Sequence, residues 1–230
     1  MPVTNEHSVE TENVSVILPY EKDKEYYIED LGVVEAKPVY AFVKRAFDVL
    51  FALVLILLLA VPMLIIALII KLSSKGPILY FQKRLGLNGK PFDIIKFRTM
   101  KQDAEADGIR WSMGDDDPRI TPVGRVLRKT RLDELPQLWC ILIGDMSVVG
   151  PRPERPEYYD LFEQYIHGFC ERLKVKPGMT GLAQVRGGYY LKPEEKVQHD
   201  VEYIKTRSVG LDLRVLLETV KVVFCGEGAK

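Results

Sequence analysis

Residues 49–70 read VLFALVLILLLAVPMLIIALII, an apolar run that no charge interrupts. Seventeen of its 22 residues are Leu, Ile, Val or Phe. At ~1.5 Å per residue, a helix of this length covers a bilayer core of ~30 Å. Lipid insertion gains about 5–10 kcal/mol, at roughly 0.3–0.6 kcal/mol for each of those side chains. The run therefore predicts a helix whose solvent is lipid; the alternative is a buried helix in a soluble protein. It does not read as a cleaved signal peptide, because a polar stretch of about 40 residues precedes it and no small-residue cleavage site follows.

Whether such a helix crosses the membrane is a separate matter. Lys44 and Arg45 precede the run, and Lys71 and Lys75 follow it. With both flanks basic, the positive-inside rule sets no orientation. Pro62 lies inside the run, where it removes one backbone donor and crowds the preceding turn. A helix broken there would dip into the membrane and return to the same face, whereas a kinked helix would still span it. The residues alone leave both open.

Charge is balanced overall, with 32 basic and 32 acidic residues, but not along the chain. Residues 1–40 hold nine acidic and three basic residues, and residues 75–131 hold 13 basic and seven acidic. The first region reads as an acidic appendage, partly disordered, with VSVILPY at 14–20 as a strand or docking segment. The second suits an anionic ligand, or is a solvated basic face. Cys140, Cys170 and Cys225 form no CxxC pair, which argues for a reducing compartment. His7, His167 and His199 show no zinc-type spacing.

From Lys75 onward the pattern is globular and helix-rich, of the α/β or α+β kind. Two β-like runs, 78–82 and 92–98, flank Asn88-Gly89, a strong hairpin signal. ADGIRWSMGDDDPR reads as a polar loop and TPVGRVLRKT as a short amphipathic helix. A helix is expected from near Asp133 to near Gly144, with Pro136 in its first turn. VVGPRPERPEYY is an ordered proline-rich loop entering another helix, and KVKPGMTGLAQVRGG is turn-like. Pro193 opens a helix through about Thr206, and Asp212 caps a last one that lies on the membrane surface or completes the core.

The chemistry concentrates around RKTRLDELPQLW, residues 128–139, where Asp133 and Glu134 stand beside Arg128, Lys129 and Arg131. Adjacent helical residues project about 100° apart, so the two acids should have different roles. A carboxylate can attack phosphorus, or bind Mg²⁺ together with substrate phosphates. Lys83, Arg84, Lys96 and Arg98 on the hairpin, and Arg152, Glu154 and Arg155 in the proline-rich loop, complete a candidate phosphate-binding set. Guanidinium forks grip phosphates, and Pro151 and Pro153 would stiffen the backbone around Arg152. No GxxxxGK[ST] or GxGxxG motif is present.

KRAFDVLFA at 44–52, FQKRLGLNGKPFDIIKFRTM at 81–100, DPRITPVGRVLRKTRLDELPQLWCILIGDMSVVGPRPERPE at 117–157 and KPGMTGLAQVRGG at 176–188 occur in that order. Together they resemble the bacterial sugar transferase family, the monotopic polyprenyl-phosphate phosphoglycosyltransferases. The resemblance covers about residues 40–225. It implies transfer of a sugar-1-phosphate from a UDP-sugar to undecaprenyl phosphate with release of UMP. Asp133 would be the nucleophile that carries a covalent phosphosugar and meets Mg²⁺; Glu134 would be its partner acid. Arg128 would bind phosphate, and Arg152 would contact the nucleotide sugar. Pro62 would be the hinge of a re-entrant helix, although Val61-Pro62 stands where some members have Ser-Pro. The implied architecture is an appendage at 1–40, a re-entrant helix at 41–74 and a compact catalytic domain at 75–230 on the cytoplasmic face of the bacterial inner membrane. Larger members carry several spanning helices before the catalytic domain, so a small form is expected. Downstream glycosyltransferases and a homodimer are implied partners. GLAQVRGGYY, with Gln184, Arg186, Tyr189 and Tyr190, is the expected region of sugar selectivity.

Other readings predict different behaviour. A membrane-anchored scaffold would tolerate Asp133→Asn. A nucleic-acid-binding protein would bind in a salt-sensitive way, but the membrane segment and the acidic GDDDP loop make no nucleic-acid partner expected. A soluble nucleotide-sugar transferase conflicts with residues 49–70.

Overall fold

The structure is a computed structural model that describes residues 7–11, 14–18, 24–104, 109–110, 117–187 and 191–225. It is helix-rich, and its described strands form four small sheets. The largest element, α1, runs from Pro38–Ser73. Its most apolar window is only 11% buried, unlike the core helix of a soluble protein. The buried and half-buried positions 52, 56, 59, 63, 66 and 70 recur every three or four residues and form one stripe. A repeat of this kind keeps one face of a helix against a neighbour along its length.

The stripe meets two parts of the domain. Ala52 joins Leu138, Ile141 and Val148 in the main core, with Phe51, Leu55 and Ile56 packed beside it. Ile66 and Ile70 pack with Phe97 and Leu127 in another. Buried polar contacts fix both ends. Near the start, Arg45 donates to the carbonyls of Ile141 and Leu142, each at 2.7 Å. Asp48, 3% exposed, accepts from Ser147 Oγ at 3.1 Å and Val148 N at 2.9 Å. At the far end, Arg98 donates to the carbonyls of Ser74 and Lys75 at 2.9 and 2.8 Å, and to Ser74 Oγ at 2.8 Å. Both ends of the apolar helix are thus held by one polar domain.

The expected break at Pro62 is corrected: α1 stays helical through that residue. Proline costs one backbone hydrogen bond locally. Here the packed stripe continues on both sides of Pro62, whose own position is exposed.

The hairpin forms as its Asn-Gly pair predicts. Strands β1 (His7–Thr11), β2 (Val14–Leu18) and β3 (Tyr26–Tyr27) precede it. Then β4 (Leu79–Leu85) pairs antiparallel with β5 (Pro91–Phe97). Asn88 and Gly89 turn the chain at φ 56° and 74°. A two-residue β6 (Ile109–Arg110) pairs with β2, and β1 pairs with β2. Helix α2 (Pro122–Lys129) is capped by Thr121, which accepts from Gly124 N at 2.9 Å. Helix α3 is Gln137–Ile143, closed by Gly144 at φ 98°. It starts later than expected, because Leu132–Glu134 form a separate 3-10 turn before Pro136.

Strand β7 (Ser147–Val149) leads into the proline-rich loop and α4 (Pro156–Glu163), followed by β8 (Ile166–His167). β9 (Gly178–Thr180) pairs parallel with β7. Their close approach requires glycine, since a Cβ on Gly178 would lie 2.1 Å from Gly150 N. A short α5 (Leu182–Arg186), α6 (Pro193–Thr206) and α7 (Val209–Cys225) complete the chain. α7 exposes Leu213, Leu217 and Val220 at helical spacing. Asp212 does not serve as its cap: the carboxylate accepts from Tyr40 at 3.0 Å, Lys44 at 2.9 Å and Tyr203 at 2.8 Å. Part of the expected appendage belongs to the fold, because β3 pairs with β8, and Ile28 and Leu31 pack on buried residues. ADGIRWSMGDDDPR falls mostly outside the described residues, as do Tyr189 and Tyr190.

Asp48→Ala should destabilise the protein by about 1–3 kcal/mol, because the Val148 amide loses its buried acceptor. Leu57→Ala, on the exposed face of α1, should change stability by less than about 1 kcal/mol in detergent. Thermal unfolding of both variants tests this.

Candidate active site

The two acids sit on the 3-10 turn between α2 and α3, and each is 7% exposed. Arg131, just before the turn, has a left-handed backbone at φ 57°. For a residue with a Cβ this costs roughly 1–2 kcal/mol. The bend turns the chain out of α2 and into the turn that carries Asp133 and Glu134.

Adjacent in sequence, the acids have different surroundings. Glu134 Oε1 accepts from Lys96 Nζ at 2.9 Å and from Arg152 Nη2 at 2.5 Å. Burial alone would raise the Glu134 pKa; Arg152 and Lys96 outweigh it and hold the carboxyl well below its ordinary range. Asp133 goes the other way, up to about 6. Burial is the main cause and Glu134 repulsion adds to it, against the pull of Lys96, Arg128 and Arg152. Glu134 is a fixed anion, and Asp133 is a carboxylate that titrates near neutrality.

Both acids line a cavity of about 500 Å³. Of the residues singled out from sequence, Arg84, Lys96, Arg98, Arg128, Arg131, Arg152, Glu154, Arg155 and Gln184 also line it. Strand alternation explains the hairpin's share: Tyr80, Gln82 and Arg84 share one face, and Lys96 lies opposite Tyr80. Lys83 does not line the cavity; it is exposed and pairs with Asp93 at 2.8 Å. Arg186 lies outside it too, paired with Glu202 of α6. Arg98 lines the wall while its guanidinium holds the end of α1.

The loop carrying Arg152 is fixed from behind. Arg84 donates to the Pro153 carbonyl and to Glu154, each at 3.1 Å. Arg172 donates to the Arg152 carbonyl at 2.9 Å and pairs with Asp200 at 2.7 Å. Arg119, Arg172 and Lys196 line the cavity and were not singled out from sequence. Lys196 follows the helix-opening proline and Arg172 lies in a 3-10 segment, so no local pattern marked them. Both amide atoms of Gln184 are buried without a hydrogen-bond partner among the described residues. A buried amide in this state suits a polar ligand.

The donor set can be tested against Mg²⁺. Among the described residues no group of three His, Cys, Asp or Glu side chains could hold a metal. Mg²⁺ instead commonly takes one or two carboxylates plus substrate phosphates. Asp133 fits that requirement, whereas Glu134 is engaged by two cations.

A cation-lined cavity of about 500 Å³, one carboxylate whose pKa is raised to about 6 and an adjoining apolar helix suit an anionic substrate at a membrane. The comparisons place the chain more closely. The bacterial sugar transferase model matches residues 39–226. An Aeromonas hydrophila UDP-N-acetylgalactosamine-undecaprenyl-phosphate N-acetylgalactosaminephosphotransferase is 42% identical over 87% of this chain and 48% of its own length. The UDP-glucose:undecaprenyl-phosphate glucose-1-phosphate transferase of Escherichia coli K12 is 40% identical over 88% of this chain and 46% of its own. A Caulobacter vibrioides protein of the same name is 42% identical over 81% of this chain and 71% of its own. The chain spans about half the length of the first two relatives. It belongs to the bacterial sugar transferase family.

The raised Asp133 pKa has a stability consequence. Its contribution to folding is greatest below the unfolded value of 3.8 and is lost as pH rises through about 6. Ionised Asp133 therefore costs about 2–3 kcal/mol at pH 8. Asp133→Asn should raise the melting temperature at pH 8, with a smaller gain near pH 4. A lower melting temperature at both pH values would contradict the burial argument.

Proposed function

We propose that the chain transfers a sugar-1-phosphate from a UDP-sugar to undecaprenyl phosphate, as the first membrane step of polysaccharide or glycan assembly. The observation that carries this reading is the opposite treatment of two adjacent buried acids in one cation-lined cavity. The relatives' names supply the substrate classes.

In the proposed first half-reaction, an Asp133 carboxylate oxygen attacks the sugar-bearing phosphorus of the donor. The bond from that phosphorus to the bridging oxygen breaks, and UMP leaves with the bridging oxygen. In the second, a phosphate oxygen of undecaprenyl phosphate attacks the same phosphorus and releases Asp133. The product is the undecaprenyl diphosphate sugar, the substrate class of a downstream glycosyltransferase. Arg128, Arg131 and Arg152 oppose the repulsion between an anionic nucleophile and an anionic phosphate. Mg²⁺, when bound with Asp133 and the phosphates, would supply further neutralisation of that charge. Glu134 positions Lys96 and Arg152; with its charge paired, it is a poor proton acceptor.

The membrane arrangement follows from α1. With Arg45 and Asp48 near one end and Arg98 at the other bound to the same domain, we place both ends on one face of the membrane, the cytoplasmic face where UDP-sugars are made. The exposed face of the unbroken α1 then lies in lipid along the membrane surface, as a monotopic element. The acceptor tail stays in the bilayer while its phosphate meets Asp133 at the boundary.

UMP release should be measured with detergent-solubilised protein, undecaprenyl phosphate, Mg²⁺ and a panel led by UDP-glucose and UDP-N-acetylgalactosamine. Asp133→Asn should reduce release by about a thousandfold or more. Full activity in that variant would sink the nucleophile assignment, and no release with any sugar favours a scaffold. Activity should fall as pH drops through about 6, the pKa of Asp133. Glu134→Gln removes a repelling charge, so in any residual activity this acid limb should move to lower pH.

A further inference from the structure

A second cavity, of about 490 Å³, lies away from the acid pair, between the first turns of α1, the 174–176 segment before β9, and Arg207 after α6. Six cations line it, Lys37, Lys44, Arg45, Lys174, Lys176 and Arg207, against two carboxylates, Glu35 and Asp48. Two of the cations are neutralised: Lys44 pairs with Asp212 at 2.9 Å and Lys174 with Glu171 at 2.6 Å. The others are not. Among the described residues Arg45 bonds to the Ile141 and Leu142 carbonyls, and Lys37 to the Arg207 carbonyl at 3.2 Å. Arg207 bonds to the carbonyls of Ile204 and Glu35.

Lys176 and Arg45 converge. A Cβ placed on Gly144 would lie 3.4 Å from Lys176 Nζ and 3.3 Å from an Arg45 nitrogen. Burial first, and Arg45 next, lower the Lys176 pKa, partly opposed by the Asp48 and Asp145 carboxylates. Asp48 is already held by Ser147 and Val148. The cavity therefore keeps an excess of positive charge on groups that retain donors. Its walls also include Val34, Ala36, Pro38 and Val175. On α1 alongside, Val39 and Phe42 are strongly exposed apolar residues. Cations above an apolar wall, next to a helix in lipid, match an amphiphile with an anionic head.

We propose that this cavity binds the phosphate of an anionic glycerophospholipid, with Lys176, Arg45 and Arg207 as its ligands and the acyl chains lying against the exposed start of α1. The site is separate from the acid pair and does not depend on how that pair reacts. It would fix how the N-terminal end of α1 meets the headgroup layer.

The test uses the full chain in phosphatidylcholine nanodiscs containing a minor fraction of phosphatidylglycerol, with retained lipid counted by native mass spectrometry. Lys176→Gln should weaken phosphatidylglycerol retention about tenfold, the loss of one charged phosphate contact. Lys176 has no hydrogen bond to lose among the described residues, so the variant should fold. Lys71→Gln, the same charge change at an exposed position in the last turn of α1, at the opposite end of that helix, should leave retention unchanged. Equal retention in wild type and Lys176→Gln, or equal losses in both variants, would overturn the proposal. Inorganic phosphate is the second probe: Lys176-dependent phosphate binding without selective phosphatidylglycerol retention would assign the site to a soluble anion and overturn the lipid source. Flotation of Lys176→Gln on neutral vesicles should match wild type, which separates loss of this site from loss of membrane association.

Discussion

The attachment of α1 to a polar domain at both of its ends is the constraint on which the rest of the structure depends. An apolar helix of 36 residues would extend about 54 Å if straight. Left to itself in lipid it could adopt any orientation. Arg45 and Asp48 bind it to α3 and β7 near the start, and Arg98 binds the Ser74 and Lys75 carbonyls just past its end. Breaking such contacts would leave buried charges or backbone groups unsatisfied, which costs more than most apolar truncations on an open face. Arg98 is also a wall of the cavity that holds Asp133. The end of the apolar helix and the edge of the candidate active site therefore share a side chain.

The second constraint concerns charge. Two adjacent carboxylates in a buried turn repel each other, and burial penalises both. The fold resolves this by pairing one with two cations. Lys96 comes from the hairpin and Arg152 from a loop that Arg84 and Arg172 hold from behind. With Glu134 so occupied, the burial cost falls on Asp133, whose pKa rises to about 6. The protonation of one acid is thus set in part by the charge of the other.

Much of this was legible in sequence, for identifiable reasons. Asn88-Gly89 specified a left-handed turn and hence the hairpin, and Pro193 marked the first turn of α6. The acid pair with its basic neighbours was legible as a site because its residues are close in the chain. Strand alternation, applied to Lys83 and Arg84, would have sent them to opposite faces, as observed. The contributions of Arg172 and Lys196 were not legible, because tertiary packing alone brings them to the cavity. The continuity of α1 through Pro62 was hidden for another reason. Both faces of that helix are apolar, so hydropathy carries no period, and shape rather than polarity distinguishes the face that meets protein.

That difference between the faces of α1 gives the segment two kinds of mutational tolerance. On the exposed face, Leu57, Leu58, Val61 and Leu64 pack little against the domain, so exchanges among Leu, Ile, Val and Phe should be nearly silent. Toward the domain, Ala52, Ile66 and Ile70 meet fixed neighbours, where one added or missing methylene is felt. A run that reads as uniform hydrocarbon thus carries a message written every three to four residues, in volume rather than hydrophobicity.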